Sequence, residues 1–314
     1  MGTNDYILGI DIGGTNTVFG LVDGLGNIVN RGKLSTRNYS DFESLAFDLA
    51  AKIKALPLFS NLKAVGVGAP NGNFFSGSID FAPNLNWGEH IRVNEILGKA
   101  LSLPVVITND ANAAACGEKF YGGAIEMTDF VTITLGTGVG SGIYVNGNLL
   151  QGKHGFGGEF GHIIVEENGR LCGCGKRGCL ETYTSVSGII YTVKELISKG
   201  EKTVLVDDEN LNGKKIEQAA ISGDAVALKS FQITTEYLGK ALANYVTIFD
   251  PEAIFLLGGL AQSGSLIFDN TKKVMEENLM KIFKNQVQIL PSQLPDADAA
   301  ILGAAAIAGE ALNF

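Results

Sequence analysis

Tyr6-Ile7-Leu8-Gly9-Ile10-Asp11-Ile12-Gly13-Gly14-Thr15-Asn16-Thr17-Val18-Phe19-Gly20-Leu21-Val22 is an apolar run that ends near a carboxylate, passes through a bare turn and resumes as a second apolar run. Short β-branched runs on either side of turn residues read as strands. Glycine tolerates φ > 0 and lets backbone N–H groups come close to an anion. Thr15 adds a hydroxyl donor, and Asp11 is placed to hold a Mg²⁺ through water. A hairpin with a capping aspartate would account for this stretch alone. A second turn, Gly136-Thr137-Gly138-Val139-Gly140, weighs against that, because hairpins seldom need so many glycines. Displaced by 122 positions, Gly14-Thr15 falls on Gly136-Thr137 and Gly20 falls on Gly142, a hint of duplication. Two such units face to face would form a cleft lined by two glycine turns.

Outward from the first turn, Ile28–Leu34 completes an expected antiparallel meander. Phe42–Leu56 carries a helical stripe at Phe42, Leu45, Ala46, Leu49, Ile53 and Leu56, with Asp41 as N-cap. Ala64–Ala69 is a short buried strand, Val93–Leu101 a helix and Val105–Thr108 a strand. Asn109-Asp110 then opens an alanine-rich helix reaching about Phe120. A second cycle follows. Phe130–Leu135 and Gly140–Val145 are strands, and Asn146-Gly147-Asn148 is a hairpin signal. A glycine-rich stretch runs to Cys179, and helices dominate from Thr184 to Phe249. Ala253–Leu257 and Val287–Leu290 are strands, and Asp298–Leu312 is an alanine-rich final helix. With no low-complexity linker, the two units are expected to be joined by an ordered segment near residues 115–125.

The chain has 314 residues, about two domains' worth, and 46% of them are hydrophobic, which excludes general disorder. Glycine accounts for 41 residues, about twice the usual share, with no collagen period. The net charge of −9 argues against a surface for nucleic acid phosphates or anionic lipid, and no apolar run is long enough for a membrane span. The first residues carry no basic n-region, so no export signal is read and a reducing cytoplasm is the expected compartment.

Two clusters carry chemistry. Glu159-Phe160-Gly161-His162 precedes Cys172-Gly173-Cys174-Gly175-Lys176-Arg177-Gly178-Cys179-Leu180-Glu181. Three thiolates and an imidazole suit tetrahedral Zn²⁺; three buried free cysteines are the alternative. Spacing does not choose between His154 and His162 as fourth ligand. Cys116, far away on the alanine-rich helix, is expected in the core. A metal here would pin a loose loop with Glu159 at one end and Glu181 at the other, two carboxylates able to accept hydrogen bonds from hydroxyls. Glu181 is also explained as a first-turn residue favoured by a helix dipole. The second cluster is Thr108-Asn109-Asp110-Ala111-Asn112-Ala113, where a strand gives way to a helix. Asp110 is either an N-cap or a base for an acceptor hydroxyl, with Asn109 beside it. The Walker pattern does not occur. Both glycine turns lead back into strands, unlike the dinucleotide fingerprint, which opens a helix.

Asp11–Thr15, Leu135–Gly140 and Leu256–Gly259 resemble, in order, the first phosphate, second phosphate and adenosine motifs of the actin-like ATPase superfamily. Within it the chain resembles the ROK family (repressors, open reading frames, kinases) of bacterial sugar kinases, from about Ile7 to Ala308. The resemblance implies an α/β, two-lobed ribonuclease H-like fold with a central cleft. Residues 1–118 would form a small lobe, 119–297 a large lobe carrying the metal-bound loop, and the helix of 298–314 would return to the small lobe. ATP with Mg²⁺ is implied at Asp11, Gly13, Gly14, Thr15, Thr137, Gly138, Gly258 and Gly259. The family's E-x-G-H and C-x-C-x₄-C elements imply a structural Zn²⁺ on His162, Cys172, Cys174 and Cys179, leaving the second His162 nitrogen to face a sugar. The N-D-x-N-A segment implies Asp110 as catalytic base. Sugar contacts are implied at Asn84, Asn109, Asp110, Glu159, His162 and Glu181. Asn84 comes from Pro83-Asn84-Leu85-Asn86-Trp87, a substrate loop one residue shorter here than in many glucokinases, which have a Pro-Gly pair where Asn86 stands. Trp87 is expected to pack rather than to form a sugar platform. The implied activity is ATP-dependent phosphorylation of glucose at its 6-hydroxyl, with N-acetylmannosamine, N-acetylglucosamine or fructose as alternative substrates. A sugar-responsive repressor of the family is expected to carry a DNA-binding module ahead of the first strand, and none is read here. The expected partners are a small-molecule sugar and ATP, with no nucleic acid and no membrane, in a homodimer.

Overall fold

The computed structural model describes residues 5–82, 85–207, 209–295 and 298–312. The chain opens with β1 (Tyr6–Ile12), β2 (Asn16–Val22) and β3 (Ile28–Ser35), followed by α1 (Phe42–Lys54) and β4 (Leu62–Gly68). Asp41 caps α1, accepting the Ser44 N–H, and the expected stripe from Phe42 to Ile53 is buried. Three very short strands come next, β5 (Gly72–Asn73), β6 (Ser78–Asp80) and β7 (His90–Ile91). They were not expected from the sequence, because runs of two or three residues carry no readable alternation. Then follow α2 (Val93–Leu101), β8 (Val105–Thr108) and α3 (Asp110–Tyr121).

The second cycle is β9 (Phe130–Leu135), β10 (Val139–Val145) and β11 (Asn148–Leu149). Helices α4 (Glu181–Thr184), α5 (Val186–Ser198), α6 (Gly213–Ile221) and α7 (Ala225–Phe249) follow. The chain ends with β12 (Ala253–Leu257), α8 (Ser265–Asn278), β13 (Gln288–Pro291) and α9 (Ala299–Leu312). The two large sheets have the orders β3-β2-β1-β4-β8 and β11-β10-β9-β12-β13. In each, three antiparallel strands are extended by two parallel ones. The duplication hinted at by a few glycines therefore extends to the whole sheet order. The 122-residue offset carries β2 onto β10, so Gly20, opposite Gly9, corresponds to Gly142, opposite Thr132.

Two helices tie the sheets together. α9 lies on β1, β4 and β8 of the first sheet and against α3. Its close approach explains two strand glycines: a methyl on Gly9 would strike the Ile301 carbonyl, and one on Gly66 the Ala304 carbonyl. α3 reaches both sheets. Its Ala113 methyl faces Gly68 of β4, while Ala111 and Ala115 face Gly140 and Gly142 of β10. The alanines of α3 thus let one helix fit between two sheets, and residue 118 falls inside it. Buried Glu118 of α3 accepts the Gly123 N–H at 2.8 Å and the Ser292 hydroxyl, joining α3 to the segment after β13.

Three apolar clusters result. One lies around β1, β4, α1 and α2, and another around β9, β12, α5 and α7. The third is shared: Ile7, Ala64 and Val106 meet Phe130, Tyr144 and Phe255 across α3 and α9. Cys116 belongs to it as expected, fully buried, with its sulfur 3.3 Å from the Tyr144 hydroxyl.

Candidate active site

Each glycine turn joins the first two strands of its cycle, β1 to β2 and β9 to β10, and each is closed by one backbone bond. Gly13 N–H donates to Asn16 O (2.9 Å), and Gly136 N–H donates to Gly138 O (3.0 Å). Among the described residues, the N–H groups of Gly14, Thr15, Thr137 and Gly138 have no acceptor. Thr15 and Thr137 are exposed, so donors in both turns are open to solvent and free to meet anionic oxygens. The second turn is braced from behind. Val186 N–H, at the start of α5, donates to Gly136 O (2.8 Å), and Leu260 N–H donates to Leu135 O (3.0 Å). Gly258 has φ +94°, and an added methyl would meet the Leu135 carbonyl. Glycine is therefore required there to bring the end of β12 against the turn.

Asp11, on the last residues of β1, and Asp110, on the first of α3, share a cavity of about 280 Å³ with Thr134, Gly258, Gln262 and Ser292. Burial and the nearby Asp110 charge push the Asp11 carboxyl up to about 7. Asp110 lies on the cleft floor, reached by water through the cleft but hemmed in by protein, and this burial raises its carboxyl also. The N-cap of α3 is Asn109, whose Oδ1 accepts the Asn112 N–H at 2.6 Å. Capping thus falls to Asn109, leaving its amide NH₂ to donate. Asp110 Oδ1 accepts the Ala111 N–H at 2.9 Å.

His162, Cys172, Cys174 and Cys179 converge, with one ligand atom from each lying within 4.8 Å of the others. Cys172 Sγ is 3.5 Å from His162 Nδ1, and Cys174 Sγ is 3.7 Å from Cys179 Sγ. Four ligands at about 2.0–2.3 Å from a tetrahedral cation stand about 3.3–3.8 Å apart, so the cluster fits such an ion. His154 is elsewhere; its carbonyl accepts the Asn73 side-chain N–H at 2.9 Å. The other His162 nitrogen, Nε2, faces Glu159 Oε2 at 3.9 Å. Burial raises the Glu159 carboxyl; the His162 ring opposes this, and the Asp110 and Glu181 charges add to it. Four of the expected sugar-contacting side chains are therefore within electrostatic reach of one another. Glu181, first residue of α4, accepts the Val139 N–H on Oε2 (3.1 Å) and the Cys172 thiol on Oε1 (3.5 Å). It stands between the cysteine cluster and the second turn.

Thr137, Gly138, His162 and Glu181 line a cavity of about 840 Å³ together with Asn71, Phe81, Leu171 and Tyr191. These last four were missed from the sequence. Phe81 is 60% exposed with φ +52°, a left-handed conformation that a bulky residue seldom adopts and that no sequence pattern announces. Trp87 packs on Phe42 (centroids 5.6 Å apart) and donates to Tyr39 O (3.1 Å), so it has the expected packing role. Asn84 lies outside the described residues.

The ROK family model matches residues 7–311. A glucokinase of Thermotoga maritima is 32% identical over 312 residues, 98% of each chain. A xylose repressor of Caldicellulosiruptor bescii is 30% identical over 318 residues, 98% of this chain and 79% of the repressor. Among solved structures, a ROK family glucokinase from Streptomyces griseus in complex with glucose and AMPPNP superposes with a TM-score of 0.80 at 34% identity, covering 97% of this chain and 99% of that one. The chain belongs to the ROK family, and its fold is the two-lobed actin-like ATPase fold of the family's sugar kinases. No helix among the described residues is long and apolar enough to cross a membrane.

Proposed function

We propose that this ROK-family, ATP-dependent sugar kinase transfers the γ-phosphoryl group of ATP to the 6-hydroxyl of glucose. The observation that carries the proposal is Asp110. Its carboxyl sits at a helix start on the cleft floor, beside Asp11, and is held above the usual carboxylate range by burial. A more basic carboxylate is a better proton acceptor near neutral pH. Asp110 takes the proton of the 6-hydroxyl as the new O–P bond forms and the bond to the β-phosphate oxygen breaks, releasing ADP. Gly13, Gly14, Thr15, Thr137 and Gly138 hold the phosphates, Gly258 and Gly259 back the adenosine, and Asp11 orients the cation. Mg²⁺, when bound, neutralises charge on the transferred group.

Glu159, Glu181, Asn84, Asn109, Asp110 and His162 form the sugar ring's partners, most of them acceptors. His162, Cys172, Cys174 and Cys179 would hold a Zn²⁺ that pins the loop carrying Glu159, His162 and Glu181. Each buried acceptor deprived of its hydroxyl costs about 1–3 kcal/mol, so an inverted or missing hydroxyl lowers kcat/KM roughly ten- to a hundredfold. Support for glucose comes from the glucokinases of Thermotoga maritima and Streptomyces griseus, the latter complexed with glucose. The deciding experiment is competition between equal glucose and N-acetylmannosamine with the products separated. Glucose 6-phosphate should dominate; preferential phosphorylation of the N-acetyl sugar would replace glucose as the substrate.

A further inference from the structure

Glu181 is carried by α4, a helix of four residues without a side-chain cap. So short a helix has no stability of its own, and its direction must be fixed from outside. Upstream, Cys179 in the cysteine cluster fixes it. Downstream the fixing group is Arg170, which no motif of the sequence singled out.

The Arg170 side chain is 9% exposed. Its Nη1 donates to the carbonyls of Thr182 (2.7 Å) and Gly188 (3.2 Å), and Nη2 donates to Thr192 Oγ1 (2.9 Å) and Glu195 Oε2 (2.6 Å). The rings of Tyr183 and Tyr191 lie 4.5 and 4.8 Å from the guanidinium carbon. Its backbone N–H donates to the Tyr183 hydroxyl at 3.0 Å. One side chain, two positions ahead of Cys172, thus grips the residue that follows Glu181 and the first turns of α5. It also forms part of the wall between the 840 Å³ cavity and a second one of about 630 Å³ behind it.

Burying a guanidinium against a single, partly exposed carboxylate is a poor way to gain stability. A planar fork that holds two carbonyls on one nitrogen and a hydroxyl and a carboxylate on the other is a good way to set an angle. We propose that Arg170 is a positioning residue: by holding the Thr182 carbonyl it aims the Glu181 carboxylate into the cleft and so sets affinity for the sugar. The proposal rests on Glu181 being a sugar acceptor, as proposed above.

The test is a double-mutant cycle in the full-length protein, with Arg170→Lys, Glu181→Gln and the pair, reading KM for glucose and for ATP, kcat, bound metal and Tm. Lysine keeps the charge but not the fork, and Tm shows that the variant folds. Arg170→Lys should raise the glucose KM about tenfold, the worth of one hydrogen bond, with the ATP KM within about twofold and metal content unchanged. The double variant should have the glucose KM of Glu181→Gln alone. Additive effects, a parallel rise in ATP KM, or an unchanged glucose KM in Arg170→Lys would overturn the role of Arg170. No effect of Glu181→Gln on glucose KM would instead overturn the sugar role of Glu181 and, with it, the proposal.

Discussion

Asp110 is the first residue of α3 and Asp11 the second-last of β1, and their shared cavity makes each carboxyl harder to ionise. Asp110→Asn keeps size and cannot accept a proton. It should lower kcat by about 10²–10⁴-fold while glucose binding, followed by calorimetry, changes only a few-fold. Retention of a tenth of the wild-type kcat would reduce Asp110 to a structural residue. Asp11 gives a stability test. Its folded value, about 7, is above the ordinary aspartate value of 3.8, so folding favours the protonated form. Stability is fully present below about pH 3.8 and is lost as pH rises toward 7. Asp11→Asn mimics the protonated form, so its gain in Tm over wild type should grow from pH 5 to pH 8, by at least ~3 °C. A gain independent of pH would contradict the buried environment beside the Asp110 charge.

At the scale of elements, the glycine-rich loop from Glu159 to Glu181 contains no strand and no α-helix before Glu181; it is held by turn and bridge bonds such as Cys172 N–H to Lys176 O (2.9 Å) and Gly178 N–H to Arg170 O (2.8 Å). Its regular bonding consists of two isolated bridges, Ile164 with Cys179 and Leu171 with Arg177, and the turn around His162. The cysteine cluster closes the loop, as a metal clip closes an otherwise costly length of chain. Wild-type protein washed with chelator should retain one zinc per chain. Cys174→Ser should lose it and weaken glucose binding at least ~10-fold, because Glu159, His162 and Glu181 all hang on the loop. Full zinc and unchanged glucose affinity in that variant, measured by elemental analysis and calorimetry, would remove the cluster from the sugar site.

For the whole molecule, the shared core around α3 and α9 makes the two sheets parts of one packed unit at the base of the cleft. Lobe closure can then exclude water from the transfer without separating the sheets. Gly66→Ala puts a methyl into the Ala304 carbonyl, at the centre of the α9 contact. It should destabilise the protein by about 1–3 kcal/mol in denaturant titration, with one transition seen by both Trp87 fluorescence and helical signal. Two separated transitions would show that the shared core does not couple the lobes.

Local chemistry was enough to read most of the regular elements, though β5, β6, β7 and α8 escaped it. The alternation and turn residues of β1, β2, β9 and β10, the stripe of α1 and the alanines of α3 each have a period or composition visible in a short window. The same holds for the two glycine turns and for the Cys-x-Cys run with its two histidine candidates. Packing across the fold decided the rest. It brought His162 rather than His154 to the thiols, gave the N-cap to Asn109, set Asp11 beside Asp110 from positions 99 residues apart, and turned Phe81 and Tyr191 toward the cleft. Arg170 shows the division most plainly. In sequence it is one arginine in a glycine-rich stretch, and its meaning lies in the Thr182 and Gly188 carbonyls and the Glu195 carboxylate that folding brings around it. A window of sequence holds the propensity of its own residues, whereas a contact between distant residues exists only once the sheets and helices between them have packed.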